Sequence, residues 1–256
     1  IGQLVHEQKA VELPEGGVRF KKTTLILGSE IEIYDTNCHG PIHVLCYMPS
    51  IKKMKQFSDW MRPIQKNIHL SSQRMYCDGR ILQQKVHELG GLFIPAHVFT
   101  PFKSLFGKGV KKSLTEVFNP DLIDAIELGL SSDTTMVSGI KELARYSFVT
   151  NSDAHSLGKL AREYQRMKVM DANFVELKKV LHQQDGRTIT ANYGLNPLLG
   201  KYYETVCVNC EEQILNDDYL RCPQCGKEQL IRGVAKRIRE LSDAEYEEIQ
   251  RPPYIH

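Results

Sequence analysis

Cys207 and Cys210, then Cys222 and Cys225, make two Cys-x-x-Cys pairs separated by eleven residues. Each pair puts two sulfurs on one tight turn, and Pro223 and Gly226 suit the second turn. Two such knuckles complete a tetrahedron of thiolates around Zn2+. Two disulfides would use the same cysteines, but disulfides belong to oxidising compartments and no secretory segment is visible. A closed four-sulfur site has no open position for water, so the predicted zinc is structural. Chemistry must come from elsewhere in the chain.

Upstream, four separated stretches offer imidazoles and carboxylates: Gly28-Ser-Glu30, His43, Pro95-Ala-His97 and Asn151-Ser-Asp153-Ala-His155. Taken singly, each is an ordinary core, surface or solvated residue. Taken together, Glu30, His43, His97, Asp153 and His155 are a donor set that suits borderline divalent ions such as Zn2+, Mn2+ or Fe2+. Carboxylates shared between two ions about 3.5–4 Å apart are the arrangement used in phosphoester hydrolysis. His69, His87 and His182 lie in helical or loop context and read as structural.

For those groups to meet, strands must carry them. Alternation of apolar and polar residues predicts neighbouring strands over Thr24–Tyr34 and Ile42–Met48. Short apolar runs predict strands at Leu92–Ala96, Asp124–Leu128, Ser147–Thr150 and Thr188–Asn192. Helices are predicted over Ile51–Trp60, Asp78–Leu89, Thr134–Tyr146 and Asn173–Gln184, with Gly90-Gly91 ending the second. Alternating strands and helices imply a parallel sheet, open or closed into a barrel. In such folds, residues just past the C-terminal ends of strands converge on one site. His97, Asp153 and His155 stand at such ends, while Glu30 and His43 depend on the pleat to aim inward.

The length of 256 residues fits one α/β domain plus a small module. Expected boundaries are 1–195 for the hydrolase-like domain, 196–204 for a linker, 205–230 for the zinc finger and 231–256 for a basic then an acidic helix. The basic helix is predicted over Ile231–Leu241, and a Ser242-x-x-Glu245 capping box starts the acidic one. Formal charge is +2, so no global attraction to nucleic acid follows. No apolar run reaches the roughly 18–20 residues of a spanning helix, so no membrane role is expected. Cys38, Cys46 and Cys77 remain as thiols outside the zinc motif, which suits a reducing cytoplasm. The chain begins and ends mid-pattern, as a piece of a longer protein would.

Local features point to nucleic acid. Phe99–Lys112 follows His97 directly and carries Phe102, Lys103, Phe106, Lys108, Lys111 and Lys112 among glycines. Lysines would neutralise phosphates, glycines would let backbone approach, and the phenylalanines would wedge or stack bases. A solvated loop with two core aromatics is the alternative. Arg232, Lys236, Arg237 and Arg239 could track a backbone or form an exposed amphipathic face. Gly129, Ser131 and Asn151 border the expected pocket, where the Asn151 amide could read a flipped base or serve only as a turn residue.

Gly28-Ser-Glu30, His43-Val-Leu45, Pro95-Ala-His97 and Asn151-Ser-Asp153-Ala-His155 resemble the later motifs of the PHP (polymerase and histidinol phosphatase) superfamily. The stretches Pro95–Gly107 and Asn192–Tyr202, with a four-cysteine module close behind, resemble its endonuclease Q branch, and that likeness spans essentially the whole chain. The resemblance implies a distorted (β/α)7 barrel followed by the zinc-finger module and short helices. It implies Zn2+, Mn2+ or Mg2+ held by Glu30, His43, His97, Asp153 and His155, with His97, Asp153 and His155 catalytic. It implies nicking of DNA 5′ of deaminated bases (uracil, hypoxanthine, xanthine) or abasic sites, with such DNA as the partner. It leaves open whether a sliding clamp or another repair protein is also a partner. The opening His-x-Asp/His-x-His strand of PHP proteins is not in this sequence and is expected upstream of Ile1, and the family's C-terminal region is expected after His256. The alternatives are a histidinol-phosphatase-like enzyme acting on a small phosphomonoester and a non-catalytic DNA-binding protein.

Overall fold

The computed structural model describes residues 1–70, 72–216, 219–243 and 251–256. A short helix α1 (Gly2–His6) precedes an antiparallel meander of β1 (Val11–Glu12), β2 (Val18–Phe20) and β3 (Thr23–Leu25). Then come β4 (Leu27–Ile33), β5 (Ile42–Met48), α2 (Ile51–Met61), β6 (Arg74–Met75), α3 (Gly79–Glu88) and β7 (Leu92–Pro95). Strands β8 (Ile126–Glu127), β9 (Phe148–Val149) and β10 (Tyr164–Lys168), helix α4 (Phe174–Leu181) and β11 (Thr188–Tyr193) complete the larger part. The cysteine module contributes β12 (Thr205–Cys207), β13 (Gln213–Ile214) and β14 (Leu230–Ile231), followed by α5 (Val234–Leu241) and β15 (Tyr254–Ile255).

The central sheet has the order β6-β4-β5-β7, and it corrects the expected parallel sheet. β4 and β7 each pair antiparallel with β5 and β6 pairs parallel with β4, so β5 is the one reversed strand of the four. The reason is connection length. A parallel neighbour needs a crossover of a dozen or more residues, whereas the turn over residues 34–41 can make only a hairpin. Beyond β7 the strands continue as smaller sheets. Asp124 N–H donates to Phe93 O at 3.0 Å, joining the approach to β8 onto β7. β8 then pairs parallel with β9, and β11 lies between β10 and β15. The fold class is thus α/β as expected, but among the described residues no barrel closes.

Helix ends follow their caps. Ser50, Asp78 and Asn173 each accept a backbone N–H in the first turn of α2, α3 and α4. The helix expected over Thr134–Tyr146 is instead a series of turns with one tight helical turn at Lys141–Leu143. Side chains bond the backbone of this stretch. Asp133 accepts from Met136 N, and Ser138 Oγ donates to Thr134 O. Arg251 donates to the carbonyls of Leu143, Ala144 and Tyr146. Strand β10 was not legible because its outward residues, Tyr164, Arg166 and Lys168, alternate with only Gln165 and Met167.

Two apolar layers cover the sheet. Ile31, Ile33, Val44, Cys46 and Met48 pack with Phe57, Phe93, Phe99, Phe106 and Phe118 in the larger one. Leu92, Ile94, Ala125, Val149, Phe174 and Val180 form the other. Each fully buried large side chain contributes about 1.5–3 kcal/mol of transfer free energy. No helix among the described residues is long and apolar enough to cross a membrane.

In the 99–112 segment Phe106 takes the core reading and Phe102 does not. Phe106 is fully buried and stacks on Phe99, with ring centroids 5.2 Å apart, so it is unavailable to a base. Gly107 sits so close to the Thr100 carbonyl that a Cβ would lie 1.8 Å from its oxygen. Glycine therefore serves packing within the chain at this position. Arg237, read as tracking a backbone or lying on an exposed face, is buried instead. Its guanidinium donates to Phe106 O at 2.7 Å, Val110 O at 3.1 Å and Lys111 O at 2.7 Å. Val234, Ile238 and Leu241 join the same core, so α5 locks the loop rather than standing apart. The acidic helix expected beyond Ser242 lies outside the described residues. Arg237→Ala leaves three carbonyls without their donor, and we expect a loss of roughly 2–4 kcal/mol in urea unfolding. An unchanged midpoint would remove this role from Arg237.

Candidate active site

The site begins with strand register. Opposite residues in the β4–β5 hairpin include Glu30 with Leu45 and Glu32 with His43, so both glutamates share a face with His43. His97 lies two residues past β7, and Ala96 N–H donates to His43 O at 3.0 Å, which brings His97 alongside. Glu30, His43 and His97 thereby place ligand atoms within 4.8 Å of one another. The two imidazoles meet edge to face at 5.3 Å. Glu30 Oε1 bonds His43 Nδ1 directly and also accepts from Ser72 Oγ at 3.1 Å.

Other groups surround this trio in a cavity of about 600 Å³. Asp153 and His155 line it, but they stand at its rim outside the tight cluster. Their side chains are 50% and 80% exposed, and His155 Nδ1 lies 3.0 Å from the Asp153 carbonyl. Gly129, Ser131, Phe102, Lys103 and Asn151 line the same cavity. Lys103 Nζ reaches Glu32 Oε2 at 3.0 Å. Phe102 is exposed and meets Tyr202 edge on at 5.3 Å. Gly129 has φ +79°, and a Cβ there would sit 2.8 Å from His97 Cβ. His97 and Asp153 are themselves left-handed, at φ +33° and +43°. Such backbone costs about 1–3 kcal/mol per residue and concentrates where geometry is imposed for a purpose.

Glu127 was missed. It is a buried carboxylate in β8. Its Oε2 accepts His97 N–H at 2.8 Å and lies 3.4 Å from His97 Nδ1, while its Oε1 accepts from Asn151 Nδ2 at 2.6 Å. A charged residue inside the run Ala125-Ile126-Glu127-Leu128 was the available signal. Asn151 therefore spends its amide within the protein, since its Oδ1 also accepts from Gln165 at 3.4 Å.

The charges are mutually dependent. Burial pushes the Glu30 carboxyl up, but the His43 bond and the nearby His43 and His97 rings outweigh it and hold the group below its ordinary value. Burial pulls His97 down, yet Glu127, Glu30 and Asp153 raise it overall. His43 Nε2 is buried without a hydrogen-bond partner, and Glu32 Oε2 is 3.7 Å away. An orphaned imidazole nitrogen among carboxylates is the donor chemistry a divalent cation completes.

Lys108 and Lys111 lie outside this cavity. With Arg232 and β14 they line a neighbouring trough of about 470 Å³, and Phe102 borders both spaces. Lys112 lines a different hollow, beside Glu142, Glu240 and Asp243. His87 and His182 flank the buried Asp124 carboxylate, His182 at 2.8 Å, in the structural roles expected.

In the smaller module, Cys207 and Cys225 sulfurs are 3.5 Å apart, as are those of Cys210 and Cys222. Sulfurs on a tetrahedral ion at about 2.3 Å lie roughly 3.8 Å apart, so the cluster is near the size a metal needs. The backbone N–H groups of Cys210 and Asn209 point at Cys207 Sγ and lower its pKa to about 6.

No family model matches the chain. It is 58% identical over 245 residues to the uncharacterized protein YqxK of Bacillus subtilis (strain 168), covering 96% of this chain and 63% of that protein. It is 35% identical over 202 residues to the uncharacterized protein MJ0043 of Methanocaldococcus jannaschii, covering 71% of this chain and 24% of that one. The lesion-specific endonuclease PfuEndoQ of Pyrococcus furiosus superimposes with a TM-score of 0.84 at 31% identity, covering 97% of this chain and 62% of that structure. Endonuclease Q in complex with a 27-mer duplex bearing an abasic lesion at its active site gives 0.85 at 30% identity, covering 99% and 64%. The chain belongs to the endonuclease Q family. It spans less than two thirds of the length of each of these relatives. Within the endonuclease Q frame, the cysteine cluster is the part whose metal can be assayed without substrate. Purified chain is expected to carry about one firmly held ion at the four thiolates, and Cys222→Ser to lose it, as read by elemental analysis. Full retention by the variant would sink the assignment.

Proposed function

We propose that this chain carries the metal-dependent phosphodiester-cleaving centre of a DNA repair endonuclease that nicks 5′ of deaminated bases or abasic sites. The observation that carries the reading is the Glu30–His43–His97 cluster, with its orphaned imidazole nitrogen, on the wall of a nucleotide-sized cavity in an endonuclease Q fold.

Charge explains why a cation belongs there. Glu30, Glu127 and Asp153 all line the space a phosphodiester would enter, and an anionic substrate is repelled from it. Glu30, His43 and His97, with Asp153 and His155 at the rim, would hold Zn2+, Mn2+ or Mg2+. Such an ion supplies Lewis acidity and a water activated at neutral pH. The chain's own groups do the positioning. Glu127 fixes the His97 backbone and faces its Nδ1, so the ring's outer nitrogen is presented to the cavity. Asn151 holds Glu127 in turn. Exposed Phe102, braced by Tyr202, offers an aromatic face to an unstacked base, and Gly129 and Ser131 leave room beside it.

The trough beyond Phe102 favours a polymer over a small phosphomonoester. Lys108, Lys111 and Arg232 lie where a strand leaving the cavity over Phe102 would pass. A structural Zn2+ at Cys207, Cys210, Cys222 and Cys225 would hold β12 and β14, and β14 forms the trough's far wall.

Two measurements test the reading. A duplex carrying one uracil or one abasic site is incubated with the chain in Mg2+ or Mn2+, and Mn2+ binding is followed in parallel by electron paramagnetic resonance. His97→Ala should abolish Mn2+ binding together with whatever nicking the chain shows without the opening strand, and Glu127→Gln should reduce Mn2+ binding by about 10–100-fold. Mn2+ binding by His97→Ala equal to that of the unaltered chain would displace the metal centre. For the trough, Lys108→Ala with Lys111→Ala should flatten the log–log salt dependence of duplex binding by about 0.9 per lost phosphate contact. An unchanged slope would return these lysines to solvent.

A further inference from the structure

Leu198 and Leu199 are 64% and 77% exposed on the tight helical turn Pro197–Leu199. The turn stands at the edge of the active cavity. Gly200, next in sequence, packs so closely on Ser131 that a Cβ would lie 2.7 Å from its hydroxyl. Ser131 and Tyr202 both line the cavity. The turn is also stiff. Pro197 is buried and anchors it, Asn196 Oδ1 accepts Leu198 N–H at 3.0 Å, and Gly200 N–H closes it on Pro197 O at 2.9 Å. Two apolar side chains are thus held rigidly in water beside a polar site, an arrangement that costs free energy and serves no packing within the chain.

A cleavage centre that inspects one nucleotide in a duplex must take it out of the stack, and the vacated gap then has to be filled. Apolar side chains that enter between base steps do this in proteins that kink or open DNA. We propose that Leu198 and Leu199 are the wedge that enters the base stack and occupies the gap left when the lesion nucleotide turns into the cavity. The proposal rests on the nuclease reading above. Leu157 and Leu160, 87% and 61% exposed, lie on a second turn just past His155. That turn is closed by Lys159 N–H to Ser156 O and Leu160 N–H to Leu157 O, without the side-chain cap and buried proline of the Pro197–Leu199 turn.

The test uses the whole chain and a duplex with 2-aminopurine next to a single abasic site or uracil. This base brightens when it is unstacked. The unaltered chain should raise the fluorescence on binding. Leu198→Ala with Leu199→Ala should still bind, through its phosphate contacts, but lose the rise. Leu198→Met with Leu199→Met, which restores apolar bulk, should recover it. Any folding defect would show in the circular dichroism of the alanine variant, and the methionine variant guards against it. An undiminished rise in the alanine variant overturns the wedge. So does loss of the rise in Leu157→Ala with Leu160→Ala alone, which would assign it to the other turn. Absence of lesion-dependent binding by the unaltered chain overturns the nuclease reading itself, and the wedge with it.

Discussion

The antiparallel pairing of β4 with β5 is the constraint on which the candidate site depends. Side chains on a strand alternate between faces, so a register slip of one residue would send Glu30 and Glu32 into the apolar layer and Ile31 and Ile33 out of it. The buried isoleucines therefore specify where the glutamates go. His43 is placed from the facing strand by the same pairing, and its backbone carbonyl then takes Ala96 N–H and draws His97 into reach. Hydrophobic burial on one side of the hairpin thus sets the coordination geometry on the other.

Holding that many ionisable groups together requires compensation. Glu127 is almost fully buried, yet both its oxygens are bonded, one by the His97 backbone and one by Asn151. Glu32 is likewise met by Arg74 at 2.6 Å and Lys103 at 3.0 Å. Buried carboxylates persist when their hydrogen bonds are made. His43 Nε2 is left without a hydrogen-bond partner, as is His87 Nε2 beside Asp124. What distinguishes the His43 cluster is that Glu30, His43 and His97 bring ligand atoms within 4.8 Å of one another. His97 and Asp153 have left-handed backbone in the same site, where Glu127 accepts the His97 N–H and Gly129 leaves room beside the His97 Cβ.

The cysteine module is joined to the larger domain more tightly than its small size would require. α5 buries its apolar face in the main core, and Arg237 ties that helix to the loop that carries Phe102 and Lys108. The trough between loop and module therefore has two walls tied by one guanidinium. A shift of the module would be felt in the cavity through Phe102, which borders both spaces.

Much of this was legible in the residues. The Cys-x-x-Cys spacing specified a metal-sized thiolate cluster, because ligand spacing on a knuckle is a local property. Alternation gave β5 at Ile42–Met48, and Asp78 and Gly90 marked the ends of α3, because pleat and cap geometry are local too. Glu30, His43 and His97 could be named as metal-type residues, and they do converge. Tertiary structure decided the rest. Strand direction depended on the length of one turn. The Thr134–Tyr146 segment formed turns whose backbone is bonded by Asp133, Ser138 and Arg251, the last more than a hundred residues away. Phe106 and Arg237 turned inward because the core and three distant carbonyls claimed them, and no local pattern distinguishes a lysine-rich loop's buried aromatic from its exposed one. Glu127 became part of the site only when β8 was laid beside β7, and that contact is invisible until the chain is folded.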